Sequence, residues 1–157
     1  MRIQRATLVG VALLAFISIT IAQEPAPSSS APAGVTYFDH DKIDAHYLVG
    51  GTLTEGNSGA GHYRILTGRR DKPGEAEIHD LDADVIYVVS GTATFVTGGT
   101  AVAPRTTAPG ETRGDSIQGG KAQSLTKGDV IIIPARIPHW FKEVQQSPFL
   151  YFVVKVH

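Results

Sequence analysis

Short runs of β-branched and aromatic residues, at 63–67, 75–81, 85–90, 92–97, 123–126, 130–133, 140–144 and 149–156, follow one another with Gly- or Pro-containing turns between them. Such runs read as strands, and strands that succeed one another with almost no helical periodicity restrict a chain to a sandwich or a closed barrel. Ahead of them, Asp39 precedes Ile43, Tyr47 and Leu48 at near-helical spacing, and Gly50-Gly51 follows. This predicts one short helix over 39–49. On the run 84–90 one face carries Asp84, Ile86 and Val88 and the other Val85, Tyr87 and Val89, so both faces are apolar and the strand is predicted to be covered on both sides. The segment 98–120, rich in Gly, Pro and Thr, reads as an exposed connection. Its Arg113-Gly114-Asp115 matches a cell-adhesion tripeptide, but three residues in a Gly-rich stretch arise readily by chance.

The 157 residues carry 14 Lys and Arg against 15 Asp and Glu, a near-neutral chain sized for one small domain. Basic residues are interspersed with acidic ones and form no stripe with aromatics, so no nucleic-acid partner is implied. Arg2 and Arg5 precede a mostly apolar run ending at Thr20-Ile21-Ala22, the pattern of a cleaved signal peptide over 1–22. At about 17 residues the run is at the bottom of the membrane-spanning range, so no stable membrane anchor is expected after processing. Export to the periplasm or the medium follows as an expectation. A Pro/Ala/Ser linker over 23–34 then leads to the folded domain at 35–157. There is no Cys, so the domain rests on packing and not on disulfides.

The chemistry concentrates around 77–91 and 139. Glu77 and His79 are two apart on a strand and share a face, so both side chains can point at one ion. Asp84 follows a short polar turn at the start of a run that can pair back as a hairpin. His139 lies beyond Pro134 and Pro138, where one strand ends and another starts. Two imidazoles with one or two carboxylates suit a divalent first-row metal. The bland alternative is a solvated ion pair beside structural histidines. Asp84 is a methylene shorter than Glu, and Asp82 substitutes for it only if the turn rearranges.

These residues resemble the two motifs of the cupin superfamily, Gly-x5-His-x-His-x3–4-Glu-x6-Gly and Gly-x5-Pro-x-Gly-x2-His-x3-Asn. Glu77 falls on the first His, His79 on the second, Asp84 on the Glu and Gly91 on the closing Gly; Gly128, Pro134 and His139 match the second motif. Gly74 sits too close to begin the first motif, Arg136 replaces the Gly of the second, and Glu143 replaces its Asn. The resemblance spans about 35–157. It implies an all-β, cupin-like double-stranded β-helix, a jelly-roll barrel with one short N-terminal helix. It also implies a divalent metal (Mn, Fe or Zn) held by Glu77, His79, His139 and Asp84, and it is compatible with a homodimer. With both carboxylates ionised the ion would sit in a formally neutral site, which favours harder ions. The Arg at 136 implies a turn unlike the family's.

Three functional classes stay open. One is an exported metalloenzyme acting on a small molecule, as a dioxygenase or as an isomerase or lyase, with His62 as a candidate base. Another is a non-catalytic small-molecule or sugar-binding module, since the fold alone does not choose. The last is a metal-free pair of crowded carboxylates, one with a raised pKa. His62, Arg64, Arg69 and Arg70 flank the first motif; Arg69 and Arg70 read as solvated edge charges, and Phe141, not Trp140, shares the parity of His139 and the pocket wall.

Overall fold

The structure is a computed structural model that describes residues 34–59 and 61–157. The segment 1–22 expected to be a signal peptide, and all of the expected linker but Gly34, lie outside the described residues. Every described element belongs to the unit Phe38–His157. It opens with α1 (His40–Val49), capped by the Asp39 side chain, which accepts from the Lys42 amide at 2.9 Å. Gly50, at φ 69°, ends it, as the sequence predicts. Tyr47 is the residue this helix buries. Leu48, expected on the same apolar face, is 74% exposed.

The remainder is strands: β1 (Gly51–Ser58), β2 (Gly61–Arg70), β3 (Ala76–His79), β4 (Ala83–Thr97), β5 (Thr100–Val102), β6 (Arg105–Ala108), β7 (Glu111–Gly114), β8 (Ser116–Gln118), β9 (Lys121–Thr126), β10 (Val130–Ile133) and β11 (His139–Val156). All pairings are antiparallel, in one large curled sheet ordered β1-β2-β11-β3-β7-β6 with β10, β4 and β9 branching from it, and a separate β5-β8 ribbon. Among the described residues this is the all-β jelly-roll architecture with a single short helix that the motifs imply.

The longest strands form its spine. β4 is one strand where the sequence predicts two, and β11 likewise, and they pair along almost their full lengths. Both bend at mid-length. Gly91, at φ 84°, lets β4 turn there, and a Cβ at this position would lie 2.6 Å from the Gln146 carbonyl oxygen and 2.8 Å from the Phe149 Cα. Opposite it, β11 shifts register between Val144 and Gln146 and again before Leu150, so the pair curls from one side of the barrel to the other.

Inward-facing residues of the curl make the core: Ile86, Val88, Phe95, Ile133, Phe141, Phe149, Tyr151 and Val153. Phe141 is its hub, with ring centroids 4.5 Å from Phe95 and 4.9 Å from Tyr151. Gly68 on β2 is required here because a Cβ would collide with the Tyr151 ring at 2.1 Å. The expectation that both faces of 84–90 are covered is corrected. Asp84, Ile86 and Val88 are buried, whereas Tyr87 on the outer face is 45% exposed and its neighbours Val130 and Ile132 are exposed too. The segment 98–120 is corrected as well, since it folds into β5 to β8 and β7 pairs with β3.

Candidate metal centre

Two rows of side chains running across the strands bring the candidate residues together. In the first, Arg113, Glu77 and His139 stand opposite one another on β7, β3 and β11, and beside them His79 faces Glu111. In the second, Arg64, Lys155 and Asp84 stand opposite one another on β2, β11 and β4. Residues directly opposed on neighbouring strands are close enough to interact. Accordingly, an Arg113 Nη1 lies 2.7 Å from Glu77 Oε2, and Lys155 donates from Nζ to Asp84 Oδ1 at 2.7 Å.

Hydrogen bonding sets the orientation of both imidazoles. His139 Nδ1 lies 3.0 Å from the Ile137 carbonyl oxygen, which can only accept, so the proton is on Nδ1. Burial holds this imidazole below its usual pKa, and Nε2 presents a lone pair. That lone pair faces Asp84 Oδ2 at 3.7 Å and Glu77 Oε2 at 4.0 Å. His79 Nδ1 donates to Glu111 Oε2 at 2.8 Å, and its Nε2 points to the same region, 3.5 Å from Asp84 Oδ2 and 3.7 Å from Glu77 Oε2. Nε2 of His79 is buried and has no hydrogen-bond partner among the described residues. One donor atom from each of Glu77, His79 and His139 lies within 4.8 Å of the others. Acceptors converging on one point, each imidazole fixed through its far nitrogen, fit a divalent cation.

The second half of the chain matches the Cupin family model over residues 75–157, more than half of the sequence. The chain belongs to the cupin family. No significant match was found among curated proteins. Among solved structures this cupin is similar to a protein from Photorhabdus luminescens, at 19% identity and a TM-score of 0.43, over 68% of this chain and 72% of that one. It is similar also to an uncharacterized conserved protein with a double-stranded β-helix domain from Klebsiella pneumoniae subsp. pneumoniae, at 17% identity, a TM-score of 0.42, and 66% and 71% of the two chains. A Bacillus subtilis oxalate decarboxylase variant matches at 16% identity and a TM-score of 0.39, over 60% of this chain and 21% of that one. The cupin spans between 20% and 49% of the length of the first structures it matches.

Asp84 stands within reach of both imidazoles but is also held by Lys155, outside the tight group of three. Asp82 is turned elsewhere, paired with Arg64 at 3.3 Å and His157 at 2.7 Å. His62 is not brought to the cluster; it stacks on His157 with ring centroids 5.2 Å apart. Arg69 forms an exposed pair with Asp71, as the sequence suggests. Arg70 departs from that expectation. Its guanidinium lies 4.6 Å from the centroid of the Phe141 ring and hydrogen-bonds Tyr151 and Glu77 at 3.0 and 3.3 Å. Trp140 turns away to donate to the Gly74 carbonyl, and Phe141 lines the pocket, as alternation predicts.

Sequence reasoning missed Glu111, Arg113, Lys155 and Tyr151 as neighbours of the centre. Their presence corrects two electrostatic expectations. First, Glu77, Asp84 and Glu111 are matched one for one by Arg70, Arg113 and Lys155, so with both imidazoles neutral the cluster balances before any ion enters. A divalent ion would therefore make the site positive rather than neutral. Second, neither Glu77 nor Asp84 has the raised pKa of a proton-sharing pair. Burial works to raise Glu77, yet Arg113, His139 and Arg70 outweigh it and hold the carboxyl below its ordinary pKa. Burial of Asp84 is likewise overcome by the adjacent His79 and by Lys155, which hold its carboxyl below the ordinary value. His79, drawn toward neutrality by burial, is carried above its ordinary value by Asp84 and Glu111.

The turn before His139 also differs from expectation. Arg136 keeps the left-handed backbone that a glycine would supply, at φ 68°, and its amide donates to the His79 carbonyl at 2.7 Å. An L-residue in that conformation costs roughly 1–2 kcal/mol, part of which glycine's extra unfolded freedom offsets. Arg136→Gly is therefore expected to stabilise the fold by about 1 kcal/mol, read as a rise of a few degrees in Tm. An unchanged or lower Tm would mean that the Arg side chain compensates for its backbone.

A cavity of about 340 Å³ opens onto the centre, in the size range of small-molecule sites. Leu66, Ile86, Phe141, Tyr151 and Val153 give it an apolar wall, and Arg70, Glu77, Asp84, Arg113, His139 and Lys155 a charged one.

Proposed function

We propose that this cupin is a metalloprotein whose divalent ion is held by Glu77, His79 and His139, with Asp84 at its edge, and that it is an enzyme acting on a small molecule in the adjoining cavity. The observation that carries this reading is the convergence of two Nε2 atoms on one point beside Glu77, one of them a buried nitrogen with no partner among the described residues. Mn, Fe or Zn all suit two imidazoles with carboxylates. When bound, such an ion supplies Lewis-acid polarisation of a ligand oxygen or, as iron, redox chemistry with dioxygen. Reaction classes of the dioxygenase and of the isomerase or lyase type both fit that chemistry.

The chain's own residues supply the rest. Glu111 and the Ile137 carbonyl hold the imidazoles in their ligating tautomers. The apolar wall of Phe141 and Tyr151 excludes water from one side of the pocket. Lys155, beside Asp84 and lining the cavity, is placed to donate a hydrogen bond to a bound ligand. Export is part of the proposal, supported by the basic and then apolar segment over 1–22.

Elemental analysis of the purified full chain tests the reading, before and after chelation and reloading with Mn, Fe or Zn. Near-stoichiometric metal is expected. Absence of metal under every loading condition would overturn the proposal and leave a metal-free binding module, recognised by a saturable ligand without turnover.

A further inference from the structure

A second cavity, of about 280 Å³, lies against the other side of Arg113 and Lys155, which line both cavities. Arg64, Arg113 and Lys155 bring three cations to it, while Glu111 is its single carboxylate and His79 its imidazole. One of these cations has hydrogen-bonding capacity left over. The Nε of Arg64 is buried without a hydrogen-bond partner among the described residues, although its Nη2 reaches Asp82 at 3.3 Å. Nη1 of Arg113 is paired at 2.7 Å with Glu77 Oε2. A buried donor left unmatched costs about 1–3 kcal/mol, more when charged, and a cavity lined by such a side chain favours a ligand that supplies acceptors. A planar carboxylate is the small acceptor that best matches guanidinium geometry.

We propose that this second cavity is a carboxylate-binding subsite, in which Arg64 and Arg113 hold the carboxylate and Lys155 adds its charge, so that the ligand of this cupin is a small organic acid. The inference rests on the reading of the chain as a small-molecule cupin, and it does not require the ion. Leu66, shared by both cavities, offers the acid an apolar contact for its carbon skeleton. Arg113 and Lys155 then couple the subsite to the centre, since each also contacts one of its carboxylates.

The test is calorimetric titration of the full chain, as isolated and after chelation, with formate, acetate and benzoate against formamide, acetamide and benzamide. The acids are expected to bind at least about tenfold more tightly than their amides. Arg64→Gln is expected to remove about that preference while leaving metal content unchanged. Arg64→Lys, which keeps the charge without the planar fork, is expected to fall between, and Lys127→Gln, at an exposed position that lines neither cavity, to behave as the unsubstituted chain. If no acid outbinds its amide, or if folded Arg64→Gln and Arg64→Lys proteins both bind the acids as before, the subsite is refuted. Acid binding by a chain that takes up no metal under any loading condition would leave the subsite standing and overturn the metal reading. Metal without acid preference would do the reverse.

Discussion

A His79→Ala/His139→Ala protein is expected to fold, to contain no metal, and to gain no stability from added Mn, Fe or Zn. The unsubstituted chain should gain about 2.7 kcal/mol at a free-metal concentration a hundredfold above Kd, a Tm rise of about 5–10 °C. Both imidazoles are buried and aimed at one point, so removing them deletes the two nitrogen donors while leaving the pairs Arg113–Glu77 and Lys155–Asp84 in place. Circular dichroism checks the fold, and thermal denaturation with and without metal reads the effect. A double variant that keeps its metal, or a metal-induced shift equal in both proteins, would show that the ion sits elsewhere.

The other large effect is expected at Lys155. Its ammonium and the Asp84 carboxylate are both almost wholly buried, at 8% and 4% exposure, and stand 2.7 Å apart. Burying an ion pair brings little net stability, but removing one member strands the other in a poorly solvating interior. Lys155→Met should therefore cost about 3–5 kcal/mol, measured by urea denaturation of the chelator-treated protein so that no ion substitutes for the missing charge. Asp84→Asn in the same chain should restore much of the loss. A cost below about 1 kcal/mol for Lys155→Met would indicate that water reaches the pair and screens it.

Much of the candidate centre's geometry was legible because strand alternation is a rigid rule. Glu77 and His79 share a face for no reason but their spacing, and Phe141 follows His139 inward while Trp140 does not. The strand Val130–Ile133 was readable to its limits because a run of β-branched residues bounded by Gly and Pro has few other options. What resisted reading depends on pairing. Lys155 meets Asp84 only because β11 lies beside β4 with register shifts along the way, and nothing local encodes those shifts. It had a signal nonetheless, since it continues the inward parity of Tyr151 and Val153, where a lysine is out of place. Glu111 and Arg113 were hidden for another reason. The composition of 98–120 is that of a loop, and β7 is a strand because β3 templates it. The edge strand β1, with Gly51 and Gly56 in eight residues, is likewise made by its partner β2 rather than by propensity.

The antiparallel register of β3 and β7 carries a consequence for descent. Along β3 the order is acid then imidazole, Glu77 and His79; along β7, read against it, Arg113 answers the acid and Glu111 answers the imidazole. Each position is thus legible only through its opposite number, and reversing the charge at one alone sets like against like in a half-buried place. Lineages that keep this centre should therefore change 77 together with 113, and 79 together with 111, so that the two pairs drift as linked characters.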